Sequence, residues 1–105
     1  MHPKNSTAQQ TVQLPKLTPF SFGPEYIAMF SIQEGADLVQ GLAVAADLAD
    51  GISQLCGRLR DSINDGETAY CAEIRALGFL GDVVSALTRS AQVSLKRTSE
   101  AGGDQ

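Results

Sequence analysis

From Asp37 onward the apolar residues recur with helical spacing. Leu38, Leu42, Ala45, Ala49, Ile52, Cys56, Leu59 and Ile63 follow one another at alternating intervals of four and three. A mean near 3.5 keeps such a stripe facing one partner helix. Asp47, Asp50, Gln54, Arg58 and Asp61 fall on the opposite side, as a solvated face requires. The pattern predicts a helix over 38–64. Asp37 is placed to accept from the first-turn amides, and Gln40 to reach back, which makes the pair a capping box. Asn64-Asp65-Gly66 closes the helix, with glycine suited to the left-handed cap position.

A second helix is predicted over 67–97. Its seam is Tyr70, Ile74, Leu77, Leu80 or Gly81, Val84, Leu87, Ala91 and Leu95. Glu67 in the first turn and Lys96 and Arg97 in the last match the helix dipole. Phe79, Val83, Ala86 and Val93 point away from that seam, and from Ala76 to Leu87 the helix is apolar nearly all round. Val44, Leu48 and Leu55 widen the apolar arc of the first helix in the same way. A helix with so wide an arc is covered by more than one neighbour, and a pair of helices does not supply enough cover. Gly41, Gly51, Gly57, Gly78 and Gly81 lie inside the helical segments, each costing roughly 1 kcal/mol relative to Ala. Some of them mark close helix crossings; the alternative is a break at Gly51 or Gly78.

The N-terminal part is of another kind. Residues 1–18 are rich in Ser, Thr and Gln, with Pro3 and Pro15, and are expected to be a disordered tail. Residues 19–36 form an aromatic arm with Phe20, Phe22, Tyr26, Ile27, Met29, Phe30 and Ile32. Pro19, Gly23 and Pro24 stop a helix there, so two extended pieces, 20–22 and 28–32, are expected around a turn. The arm is expected to fold back over Phe79 or to cross to a second subunit. The helical domain then occupies 37–97, and 98–105, with Gly102-Gly103, is expected to fray.

Size and charge narrow the classes of function. A chain of 105 residues is one domain at most, and a two-helix core is thin on its own. With two cysteines and one histidine, disulfides and metal are poor remedies, and self-association is left. A net charge of −4 lacks the basic footprint of a nucleic-acid binder. Cys56 and Cys71 stand at levels about 6 Å apart in a hairpin and converge poorly for a disulfide; reduced thiols and a cytoplasmic setting are expected. No apolar run is long enough to span a membrane.

Phe30-Ser31-Ile32, then Gly35, the Asp37 cap, Leu38, Leu42 and an Ala-rich amphipathic helix resemble a family of small proteobacterial proteins. Most of these come from pseudomonads and share a domain of unknown function. The resemblance covers about Phe30 to Leu87 and departs early in the second helix, where Tyr70 stands in for an aromatic or His. It implies a helical hairpin and a bacterial cytoplasmic setting, and it carries no catalytic residues.

No catalytic constellation is legible. The single histidine, His2, sits in the tail, so a nucleophile has no base beside it, and two cysteines do not make a zinc site. Gly78-Phe79-Leu80-Gly81 lies within a helical pattern and is not a phosphate loop. No enzyme activity, cofactor or metal is expected. The expected architecture is all-α: an antiparallel two-helix hairpin that completes a four-helix bundle as a homodimer. Its expected function is a non-enzymatic protein–protein interaction module without nucleic-acid or membrane partners. Candidate interface residues are Phe79, Val83, Ala86, Leu48, Leu55, Phe30 and Ile32, with Asp37 and Gln40 as the cap. The alternative is a heterologous adaptor or inhibitor, antitoxin-like or phage-derived, blocking a basic surface of a host defence complex. A small ligand between Ala45, Ala49 and Gly81 is a third reading.

Overall fold

The computed structural model describes residues 13–23 and 29–103. Helix α1 runs Leu38–Asn64 and helix α2 runs Cys71–Gly103, packed against each other as an antiparallel hairpin. At 1.5 Å per residue they are about 40 and 50 Å long. α1 starts where its cap is: the Asp37 carboxylate accepts from the Gln40 amide at 2.8 Å. It ends in a Schellman motif. Gly66, at φ 92°, donates its amide to the Ile63 carbonyl at 3.0 Å, and Glu67 donates to Ser62 at 2.9 Å.

α2 begins four residues later and ends six residues later than the periodicity predicts. Glu67 stays outside it, and Glu73 is the acid of its first turn. The Glu73 carboxylate accepts from the Tyr70 amide at 3.0 Å, the returning half of a capping box, and that bond sets the start. At the other end nothing breaks the helix before the glycine pair. Thr98 sends its hydroxyl back to the Ser94 carbonyl at 3.0 Å, and Lys96 and Arg97 are followed by further helix rather than ending it. None of Gly51, Gly57, Gly78 or Gly81 interrupts either helix.

The arm is a third element, folded onto its own hairpin. Ser21 and Ser31 form an isolated antiparallel bridge. Ile32 donates to the Phe20 carbonyl at 2.9 Å and Phe22 to the Phe30 carbonyl at 3.2 Å. The two extended pieces therefore pair within one chain. The expected turn, with Tyr26 and Ile27, lies outside the described residues, as do His2 and the tail to residue 12. Residues 13–18, assigned by composition to the tail, are described and partly internal: Leu17 is 3% exposed.

Eight hydrophobic side chains make the core: Leu17, Ile32, Leu38, Ala45, Val83, Ala86, Leu87 and Ala91. All of them lie at the open end of the hairpin, where the arm supplies Leu17 and Ile32. Between residues 46 and 82 no described side chain is fully buried. The hairpin is well packed at one end and thinly packed at its tip.

Candidate functional site

The arm is held by a polar clasp inside an apolar one. Leu17 seats where α1 has no side chain: a Cβ added at Gly41 would lie 2.5 Å from a Leu17 methyl and 3.5 Å from Leu87. Two serines on the inward face of α2 take up the polar groups that Leu17 brings in with it. Ser90, with no exposed surface, donates to the Thr18 carbonyl. Ser94, 4% exposed, shares a hydrogen bond with the Thr18 hydroxyl at 2.7 Å. Leu17 donates its own amide to the Ala36 carbonyl at 2.9 Å. Among the described residues no buried side-chain nitrogen or oxygen lacks a hydrogen-bond partner, which is what makes the burial of these serines tolerable.

Ser90→Ala should therefore cost about 1–2 kcal/mol, since the Thr18 carbonyl loses its buried donor. The check is thermal unfolding of the variant beside Ser99→Ala, whose parent serine is exposed and whose replacement should be nearly neutral.

Further along, the arm covers α2. Phe79 meets Phe30 at a ring-centroid distance of 5.4 Å and Phe22 at 6.4 Å, both edge-to-face. Of the residues expected at an interface, Val83, Ala86 and Ile32 belong to this intramolecular core. Phe79 and Leu48 are half-buried against it, and Leu55 and Phe30 are exposed. The back of α2 thus has its cover from the same chain.

What remains open is the side of the hairpin away from the arm. The arm lies over Gly41 on α1 and over Phe79 and Val83 on α2. One residue on from Gly41, a rotation of about 100°, begins the stripe Leu42, Ala49, Cys56 and Ile63, spaced by seven. All four are exposed. The inward line of α1 runs instead through Leu38, Gly41, Ala45, Leu48 and Ile52, so the predicted seam is rotated. Cys56, expected as a small core residue, sits at the edge of that line, exposed, and both cysteines are free thiols.

α2 repeats the arrangement. Ile74, Gly81, Thr88 and Leu95 are spaced by seven, as are Tyr70, Leu77 and Val84. Tyr70 is 71% exposed, Ile74 58%, Ile63 51%. The two stripes meet at the tip in a groove lined by Cys56, Leu59, Arg60, Ile63, Asn64, Ala69, Ile74 and Leu77. Along the α1 stripe and the two α2 stripes no Asp, Glu or Lys intervenes.

Among the described residues no three His, Cys, Asp or Glu side chains come together as a metal site. No helix among them is long and apolar enough to cross a membrane. Arg60 and Asp61 form an ion pair at 3.3 Å at the surface, which contributes little. Comparison with protein-family models, curated proteins and solved structures finds no match for this chain.

Proposed function

We propose that this chain is a non-enzymatic protein–protein interaction module that self-associates through the helix face left open opposite the arm. The observation that carries this reading is the position of Leu42, Ile63, Tyr70 and Ile74. They are exposed on the hairpin, whose Phe79 and Val83 are met by its own arm. Large apolar side chains exposed near one another are a usual mark of an interaction surface, and covering them returns about 25 cal/mol per Å². The bacterial cytoplasm is the setting that the reduced cysteines and the family resemblance support.

The test is mass in solution. Light scattering behind size exclusion should give twice the chain mass for the wild type and the single-chain mass for Ile74→Asp, with the helical circular dichroism of the two alike. Ile74 is exposed within one chain, so a charge there costs the hairpin little and the dimer much. A wild type that is folded and monomeric at tens of micromolar would reject the reading.

A further inference from the structure

Residues 13–19 sit on the hairpin in the manner of a bound peptide. Leu17 is the one buried side chain of that stretch, while Gln13, Leu14, Lys16 and Pro19 are exposed. Among the described residues, its main chain exchanges a single hydrogen bond with other main chain, from the Leu17 amide to the Ala36 carbonyl. The segment has no regular secondary structure, and Pro19 biases Thr18 toward extended backbone. A stretch held by one apolar anchor and so few bonds opens at lower cost than the helices beneath it.

The helices beneath are shaped for that segment and carry polar groups that match it. Gly41 leaves a notch on α1 that takes the Leu17 side chain, with Leu87 beside it. Ser90 and Ser94 stand about one turn apart on α2, and both are buried. Ser90 donates to the Thr18 carbonyl, a group that any sequence brings. Ser94 pairs with the Thr18 hydroxyl, a group that only certain residues bring. We propose that this notch is a peptide-reading site, filled in the single chain by its own residues 13–19, and that it takes an extended partner segment in which leucine is followed by threonine. The notch lies under the arm, so this holds whether or not the open helix face joins two copies.

A second copy is a poor occupant. Its own segment already fills its own notch, so an exchange makes no contact that is not lost elsewhere, and it ties two free chains together. A partner segment that starts free gains the contacts outright, but it must displace residues 13–19. Its apparent affinity is therefore reduced by the fraction of chains whose notch is open. Cutting Leu17 back to alanine weakens the resident segment and raises that fraction. The loss of one buried leucine corresponds to a gain of about thirtyfold to a thousandfold.

The experiment titrates a fluorescent peptide of residues 13–22 with full-length chains and follows its anisotropy. The Leu17→Ala chain should bind the peptide at concentrations at least about thirtyfold below those the wild type needs. Thr18→Val in the peptide should weaken binding about tenfold, because Ser94 is left without its partner. Leu17→Ala in the peptide should remove binding. Circular dichroism establishes that each chain is folded. Where Leu17→Ala is not, the milder Thr18→Ala chain serves the same comparison, with an expected gain over the wild type of about tenfold. Equal binding to the wild-type and released chains would place the peptide outside the notch and overturn the proposal. A folded, released chain that ignores the peptide would overturn it too, since residues 13–19 would then be packing and nothing more. A Thr18→Val peptide that binds like the parent would show that the serines do not read the hydroxyl, and the stated partner chemistry would fall.

Discussion

Leu17→Ala is expected to lower the unfolding free energy by about 2–4 kcal/mol, the range for removing a buried leucine side chain beyond its Cβ. For a domain of this size that is a fall in Tm of about 10–25 °C. The size of the effect comes from position: Leu17 is 3% exposed and fills the notch that Gly41 leaves between α1 and Leu87. Neighbouring Leu14 is 43% exposed, and Leu14→Ala should stay within about 0.5 kcal/mol of the wild type. Thermal unfolding followed by circular dichroism at 222 nm checks both. If the two variants unfold together with the wild type, residues 13–18 contribute no docking and the core has only two layers.

Phe79→Ala should cost about 2–3 kcal/mol, less than a fully buried ring because Phe79 keeps part of its surface in water. The loss has two components: apolar area, and the edge-to-face contacts with Phe30 and Phe22, each worth about 0.5–1.5 kcal/mol beyond area. A double-mutant cycle with Phe22→Ala isolates the second component and should give a coupling in that range. Because these contacts lie within one chain, the cost should be the same at protein concentrations tenfold apart. A ring facing a second copy would instead show a cost that changes with concentration. No coupling between positions 22 and 79 would mean that the arm does not rest on α2.

These two substitutions and Ile74→Asp bear on different layers of one design. Leu17 and Phe79 hold the arm against the chain's own helices, and their loss should leave a longer apolar face uncovered. Ile74 lies on the side the arm does not reach, and its replacement should separate copies without loosening either. Arm variants are therefore expected to raise aggregation on heating, whereas Ile74→Asp should lower mass and leave the unfolding of each hairpin nearly intact.

Much of this architecture is readable from spacing alone. The α1 boundaries, the Asp37 cap and the turn at Gly66 follow from local chemistry: a carboxylate within reach of free amides, and a residue without a Cβ where φ is positive. That the back of α2 needs a neighbour is legible too, in the apolar run from Ala76 to Leu87. The start of α2 is harder to read, because Glu67 and Glu73 both offer an acid near a helix start. Only the returning bond from Glu73 to the Tyr70 amide distinguishes them. Ser90 and Ser94 carry no local signal of the part they play. Their role depends on Thr18, more than seventy residues away in the chain, and no local pattern encodes such a pairing.

The sequence by itself determined an all-α hairpin, its first helix, its turn and its surplus of apolar surface, since periodicity and capping act over a few residues. The tertiary structure alone decided where that surplus lies. Which flank of a wide apolar arc is covered depends on how the helices rotate about their own axes and on which side the arm comes down. Both are set by long-range packing, chiefly Leu17 against Gly41 and the rings of Phe22 and Phe30 against Phe79.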